Sequence, residues 1–320
     1  MRPPVRSYAF TVALLAGAIA PCASSAQPGT ENAQPFVREY GVFVADQDLR
    51  RDARLLATNA ALGAATAGLV RWMSGKPVLP GLAGGAAGGA LAYAGKRIVV
   101  ERWEGAGLVG RQVASVGHSI VRNAAEERAL LARLILPLGP LRLYLRPDSA
   151  TRLRARIDAP TAIYAVLLAA NGNPLDARAS LSSGALVFRV PDDPLSDLRG
   201  RCIPGLAFGG AIVLSDLTGL ATDDRNPTFA HERVHVVQYD QLYATVGDPA
   251  EEWIGRRVGW FGRVKRWADF NATGLVAMVP QAVFNEWTPW EAEALAVTRQ
   301  AFGNAPLPDA QTSHLGCSAS

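Results

Sequence analysis

The spacing of apolar positions divides the chain into a helical first part and a mixed second part. Two apolar runs, at residues 55–70 and 77–95, are separated by a polar turn at 71–76, and together they predict a helical hairpin rich in alanine and glycine. Residues 108–136 carry apolar side chains at helical intervals, so a further, largely helical stretch is predicted that stops at Pro137.

After residue 140 the apolar residues begin to alternate with polar ones. Residues 141–146 and 152–157 show the two-residue period of a half-buried strand. Further strands are predicted at the short apolar runs 162–168, 177–180, 185–190 and 209–215. This succession indicates an α+β fold, in which an antiparallel sheet packs on the helix that begins after Asn226 and on C-terminal helices, with the helical hairpin preceding it.

The N-terminus has the parts of an export signal. Arg2 and Arg6 precede a short apolar run at 9–20, and small residues follow at 23–26. We therefore expect an exported protein, periplasmic or extracellular, with an uncleaved anchor as the alternative. The expected organisation is a signal peptide at 1–26, a linker at 27–49, an Ala/Gly-rich helical region at 50–135 and an α+β domain at 136–320.

Two stretches raise the question of membrane association. Gly81, Gly85 and Gly89 recur at four-residue spacing, which allows helices to approach closely in membranes. The hairpin is either inserted in a bilayer or packed against the domain or a membrane surface. Residues 253–267 interleave tryptophans with basic side chains, and they form either a core-packing helix with a solvated arginine face or a helix lying in a membrane interface.

Composition narrows the function classes. The net charge is +4, the arginines are scattered and no nucleic-acid motif is present, so a mildly basic solvated surface is expected rather than a nucleic-acid partner. Signal cleavage would remove Cys22, and Cys202 and Cys317 would then either form a disulfide or remain free thiols. His118 is expected to be a structural or surface histidine.

One motif carries explicit chemistry, the sequence His-Glu-x-x-His at 231–235. On a helix, His231 and His235 lie one above the other, so both imidazoles can face one metal ion. Glu232 lies one residue further round, where its carboxylate can reach a water on that metal. Asn226 as N-cap and Pro227 in the first turn support the helix. The alternative is a helix whose histidines bind nothing.

A zinc hydrolase of this type needs a third protein ligand, and the stretch 285–294 offers one. Thr288 and Pro289 resemble a helix start, so Glu291 is either the glutamate of a capping box or the third ligand. Glu293 is the fallback ligand.

These motifs resemble those of the gluzincin metallopeptidases, and especially small bacterial minigluzincin-type proteins. The matching residues lie between 209 and 302: His231, Glu232, His235 and Gln238, then Pro289, Glu291, Glu293 and Ala294. The resemblance implies zinc held by His231, His235 and Glu291, with Glu232 as general base. Leu295 departs from the pattern, because many gluzincins have there an aspartate that supports a ligand histidine.

We therefore expect a zinc-dependent hydrolase acting on peptides or proteins, in which Glu232 activates a zinc-bound water. Tyr239 is a candidate for stabilising the oxyanion, and the strand at 211–214 is a candidate for pairing with an extended substrate. The alternative is a non-catalytic, envelope-associated scaffold or binding protein with a structural or vestigial metal site.

Overall fold

A computed structural model of the chain describes residues 40–147, 149, 152–190, 195–196, 202–215, 222–272 and 289–302. The chain divides into two compact units, Met1–Asp46 and Gln47–Ser320, and only the second is described below, apart from the first residues of one helix. The predicted signal peptide, most of the predicted linker and Cys317 lie outside the described residues.

The second unit combines helices with two small mixed sheets, which confirms the α+β class. The helices are α1 (Tyr40–Met73), α2 (Val78–Val99), α3 (Ala106–Glu126), α4 (Ala159–Ala170), α5 (Ala177–Ser183), α6 (Pro227–Leu242), α7 (Asp248–Arg257), α8 (Gly259–Val264) and α9 (Pro289–Phe302), with a π-helical turn at Tyr243–Gly247. Helix α1 begins inside the stretch 27–49 that the sequence assigned to a linker.

The strands form mixed sheets rather than one antiparallel meander. The strands are β1 (Leu134–Leu138), β2 (Leu141–Leu145), β3 (Leu153–Asp158), β4 (Leu186–Val190), β5 (Leu195–Ser196), β6 (Cys202–Ile203), β7 (Gly205–Phe208), β8 (Ala211–Ser215) and β9 (Ala268–Asp269). The first sheet has the order β1-β2-β3-β9 and the second β4-β8-β7, while β5 and β6 form a separate ribbon. The pairs β3–β9 and β4–β8 are parallel, and the other pairs are antiparallel.

Two of the predicted strands are helices. Residues 162–168 belong to α4, which has a proline in its first turn, and residues 177–180 belong to α5. Helix α5 is capped by Asp176, whose side chain accepts a hydrogen bond of 3.0 Å from the Ala179 amide. Short apolar runs show no period that distinguishes a strand from a helix. The residues at their ends, here a first-turn proline and an N-cap aspartate, indicate the helix instead.

The third helix is shorter than predicted. Helix α3 ends at Glu126 because Glu127 adopts a left-handed conformation, with φ of 64°. A turn follows, residues 134–136 form the start of β1, and Pro137 lies within that strand instead of ending a helix. Since β1 is the outermost strand of its sheet, a residue without an amide hydrogen is tolerated there.

The small residues of the hairpin allow α1, α2 and α3 to touch through their backbones. A side chain on Gly85 would overlap Gly63 of α1, and one on Gly88 would overlap Gly117 of α3. Arg71, predicted in the polar turn, is buried and donates a hydrogen bond to the carbonyl of Ala124. The four-residue glycine pattern therefore serves contacts between helices of the same unit. In the described part of the chain, one segment, Arg50–Met73, is both long and apolar enough to cross a membrane.

Helix α6 lies at the centre of the unit. One apolar cluster joins it to α2, α3 and α9 through residues such as Val99, Val234 and Val297. A second cluster joins its opposite side to α5 and the β4-β8-β7 sheet through Phe229, Val236 and Ile212. Residues 228–240 are consequently all buried, including the polar ones.

Buried ion pairs lie beneath the first sheet. Arg142 donates to Asp158 at 2.6 Å, and Arg156 donates to Asp269 at 3.1 Å. The Tyr144 hydroxyl donates to the same Asp269 at 2.6 Å. The expectation that the arginines form a solvated surface is therefore wrong for a group of them: Arg71, Arg111, Arg122, Arg133, Arg142, Arg156 and Arg233 are all buried. Each is buried beside an acidic group, a carbonyl oxygen or an aromatic ring, which sequence spacing does not reveal.

We predict that Gly95→Ala destabilises the protein, because the added methyl group would overlap backbone atoms of Gly110 and Ala114 in α3. Forcing an extra carbon into such a contact is expected to lower the free energy of unfolding by about 1–3 kcal/mol. Denaturant unfolding would measure the change. Gly259→Ala is the control, since nothing lies within 4 Å of a methyl group there. Equal stability of the two variants would contradict the contact.

Candidate metal centre

The sequence at the start of α6 fixes where the two histidines lie. The Asn226 side chain accepts a hydrogen bond of 2.8 Å from the Thr228 amide, and Pro227 occupies the first turn, so the helix begins as predicted. From this start, His231 and His235 fall one turn apart on the same side of α6. Both side chains are buried, with 4% and 8% of their surface exposed.

Helix α9 brings a carboxylate between the two rings. The Nε2 atoms of His231 and His235 lie 3.0 Å apart. Glu291 places one oxygen 3.0 Å from Nε2 of His231 and the other 3.0 Å from Nε2 of His235. Within the described residues these three side chains form a group whose ligand atoms all lie within 4.8 Å of one another. The three residues predicted as ligands are thus brought together from two helices.

The charges in this group reinforce one another. Although burial would raise it, the hydrogen bonds from both histidines hold the pKa of Glu291 well below the usual carboxyl range. Burial would lower the pKa of His235, but the hydrogen bond and charge of Glu291 raise it to about 9. The carboxylate therefore stays ionised and ready to bind a cation.

Glu293, the fallback ligand, has a different role. Its carboxylate accepts hydrogen bonds from the Lys96 amino group at 2.8 and 2.9 Å and from the Asn59 amide at 2.8 Å. Burial would raise the pKa of Glu293, but Lys96 and these donors lower it. Glu291 and not Glu293 therefore completes the group with the histidines.

Glu293 instead supports one of the histidines through Gln238. The Gln238 side-chain oxygen lies 2.9 Å from Nδ1 of His235, and its nitrogen donates to Glu293 at 2.8 Å and to the Trp290 carbonyl at 3.0 Å. An amide oxygen at Nδ1 favours a proton on Nδ1, so Nε2, which faces Glu291, is the nitrogen that would bind a metal. Nδ1 of His231 has no hydrogen-bond partner among the described residues. The sequence likewise has Leu295, which cannot form a hydrogen bond, where an aspartate that supports a ligand histidine was expected.

The donor set fits a zinc ion. Two imidazole nitrogens and one carboxylate are typical of a catalytic zinc site, where a fourth position stays open for water or substrate. Donors of a tetrahedral zinc are roughly 3.4 Å apart, from bonds of about 2.0–2.1 Å. The observed separations of 3.0 Å between ligand atoms need only a small expansion to match.

Glu232, the predicted general base, lies next to the edge of the second sheet. Its side chain is buried, and its Oε1 is 3.1 Å from the point where a side chain on Gly205 would begin. Gly205 opens β7, the edge strand in the order β4-β8-β7. A residue larger than glycine at this point would therefore press on the Glu232 carboxylate.

Tyr239, the candidate for stabilising the oxyanion, is buried on α6. Its ring packs against Phe208 at 6.1 Å, and burial together with the charge of Asp158 raises the pKa of its hydroxyl. A different tyrosine, Tyr164 on α4, lies close enough to Glu232 to feel its charge. Burial and that charge raise the pKa of Tyr164 to about 12.

Sequence reasoning missed Tyr164 because residues 162–168 were predicted as a strand. It also missed Lys96 and Asn59, although each is a polar residue within a long apolar helix, a pattern that signals a buried polar partner. His118 is fully buried on α3, where burial and the charge of Lys96 lower its pKa to about 3, and it stays apart from the ligand group.

No protein-family model, no curated protein and no solved structure matches this chain.

We predict that Gln238→Ala weakens zinc binding by about 10–100-fold without changing a stoichiometry of one, because His235 loses the partner that orients its ring. Competition with a chromophoric chelator would measure the affinity. His231→Ala and Glu291→Ala should each reduce the zinc affinity far more, since each substitution removes a ligand.

Gln241→Ala is the matched control, because Gln241 lies on the same helix and is only half buried. An unchanged affinity in Gln238→Ala would show that the hydrogen bond to His235 does not matter for the site.

A second prediction concerns the metal-free protein. His235 has a pKa of about 9 when folded, above its unfolded value of about 6.5, so its contribution to stability is complete below pH 6.5 and is lost as the pH rises through 9. Denaturant unfolding in chelator should show this decline. The decline should be weaker in His235→Asn, and an identical pH dependence in both proteins would refute the assignment.

Proposed function

We propose that the protein is a zinc-dependent hydrolase of the gluzincin type that cleaves peptide bonds. The observation that carries the proposal is the convergence of His231, His235 and Glu291 on one point, with the buried Glu232 next to the first histidine in the chain. The gluzincin pattern of two histidines on one helix and a glutamate on a later helix accounts for this arrangement.

The three ligand residues would hold the ion on the face of α6 that points to α9. When bound, zinc would polarise a carbonyl oxygen and lower the pKa of a water molecule. The protein contributes a site that is pre-formed by packing, since α6 contacts an apolar cluster on each side. Gln238, Glu293 and Lys96 would keep the His235 ring in its binding orientation.

Glu232 would act on the protons of the reaction. It would take a proton from the attacking water and later give it to the leaving amine nitrogen. Its burial favours this role, because the surrounding protein limits exchange of that proton with solvent. Tyr164, which stays protonated at neutral pH, is proposed to donate a hydrogen bond to the substrate carbonyl oxygen as negative charge develops there.

The substrate would bind along β7 rather than along 211–214. Strand β8, which contains 211–214, has a partner on both sides and offers no edge, so the sequence-based proposal for it is wrong. Among the described strands of this sheet, β7 is one of the two outer ones, and its first residue, Gly205, approaches Glu232 closely. An extended peptide that paired with β7 would therefore place a backbone carbonyl near the proposed base.

The non-catalytic alternative is favoured by one observation, the deep burial of the ligands. Glu291 and His231 are only 7% and 4% exposed, which is common in structural sites. However, a structural zinc site has four protein ligands, and the described residues provide three. Activity measurements on a single substitution separate the two alternatives.

We predict that Glu232→Gln retains one zinc per chain but cleaves peptides about 10²–10⁴-fold more slowly, because the amide cannot accept the proton. Zinc would be measured by elemental analysis and cleavage by a fluorogenic peptide library. Glu101→Gln, at an exposed glutamate, is the control. Full activity in Glu232→Gln would refute the role of Glu232, and no cleavage by the zinc-loaded wild type would favour the scaffold.

A further inference from the structure

The first sheet turns its polar side chains toward the interior and its apolar side chains outward. In β3, the side chains of Arg156 and Asp158 are buried, whereas those of Leu153 and Ile157 are 56% and 47% exposed. Residues paired across antiparallel strands point to the same side. The register therefore sets three rows on the outer side: Leu138, Leu141 and Ile157; Leu136, Leu143 and Ala155; Leu134, Leu145 and Leu153.

These nine residues, which we call the aliphatic face, contain no hydrogen-bonding side chain. The inner side of the same strands is committed to the buried ion pairs of Arg142 and Arg156. If the strands turned their apolar side inward, Arg156 would leave the interior and the buried carboxylate of Asp269 would lose this partner, which is costly. Soluble proteins rarely leave a contiguous apolar area of this kind uncovered, and such areas mark binding surfaces.

Exposed tryptophans lie next to the aliphatic face at one end. The amide of Ile157 donates a hydrogen bond of 2.8 Å to the carbonyl of Trp267, and Ile157 is paired with Ala268, so the backbone of Trp267 lies beside β3. Trp267 is 75% exposed, and Trp260 and Val264, seven and three residues earlier, are 61% and 41% exposed. This spacing puts the three side chains on one side of α8 and the turn that follows it. Tryptophan is enriched where an apolar surface meets a polar one at membrane interfaces.

The charges around this area are positive. Arg263 and Arg266 shortly precede Trp267 in the chain, and both are exposed. Neither of them has an acidic partner within ion-pair distance in the described part of the chain. In contrast, acidic residues of β3, β9 and the neighbouring helix α7 are buried and paired with basic groups: Asp158, Asp248, Glu251 and Asp269. The exposed charge beside the aliphatic face therefore complements an anionic surface.

We propose that the aliphatic face and Trp267 dock onto the surface of a lipid bilayer that contains anionic phospholipids. The aliphatic residues would contact acyl chains, the tryptophans would lie at the headgroup level, and the arginines would bind lipid phosphates. The sheet suits this environment because the outward side chains of its central strands have no hydrogen-bonding groups, and the backbone groups of these strands are paired within the sheet. This proposal does not depend on the metal site.

The experiment uses the full chain and vesicles of phosphatidylcholine alone or with phosphatidylglycerol. Wild-type protein should cosediment with the anionic vesicles more strongly than with the neutral ones. Ile157→Ser with Trp267→Ser should weaken partitioning at least about tenfold, since two apolar side chains leave the interface. Arg263→Gln with Arg266→Gln should weaken binding to anionic vesicles about fivefold per arginine and remove most of its salt dependence.

Trp72→Ser with Leu79→Ser is the matched control, since these side chains near the hairpin turn are 68% and 75% exposed, as apolar and as accessible as the tested pair. All variants share the N-terminal apolar run, so its contribution cancels between them. Partitioning of the control should match wild type. Hydrogen exchange with vesicles present should slow in peptides covering 134–158 and 259–268.

Several results would overturn the proposal. Loss of partitioning in the control variant but not in Ile157→Ser with Trp267→Ser would transfer membrane binding to the hairpin. Equal partitioning into neutral and anionic vesicles would remove the role of the arginines. A concentration-dependent dimer that the same double substitution abolishes, without vesicle binding, would identify a second copy of the chain as the occupant. Zinc content should be unchanged throughout, which separates this test from that of the metal site.

Discussion

A helix that is buried on every side must find a partner inside the protein for each charged group it carries. Helix α6 carries such groups on several sides, and residues outside it form the ion pairs. Glu291 contacts His231 and His235, Arg111 pairs with Asp240 of α6 at 2.7 Å, and Asp224 pairs with Arg233 of α6 at 2.8 Å. Leaving one of these charges unpaired in the interior would cost several kcal/mol. The positions of α3 and α9 around α6 are therefore set by charge as much as by apolar packing.

The sequence was sufficient to predict the two histidines and their helix, because the four-residue spacing and the Asn226 cap are local features. It could not choose between Glu291 and Glu293, which lie two residues apart on the same helix. That choice depends on Lys96, which lies almost two hundred residues earlier in the chain and attracts Glu293 away from the histidines. No local pattern contains this information.

The errors in the fold have a similar origin. Residues 162–168 and 177–180 are too short and too uniform for their period to separate strand from helix, and the first error also hid Tyr164. The order of the second sheet depends on which strand a distant segment joins, so β8 was taken for an edge although β4 covers it. The arginines were assigned to the surface by their chemical type, whereas several are buried, among them Arg142 of β2 and Arg156 of β3, each beside a carboxylate of another strand.

The glycine contacts between the first three helices bear on how the candidate metal centre is held. Lys96 follows Gly95, whose backbone abuts α3, and Asn59 lies where the backbone of Gly89 meets α1. Rigid main chain, without adjustable side chains between the helices, thus sets the distance of both donors from Glu293. An enlargement of one such glycine by a single carbon atom would shift the Lys96 amino group and, through Glu293 and Gln238, tilt the imidazole of His235. In the proposed zinc site, the affinity for the ion would then depend on the spacing of helices that carry none of its ligands.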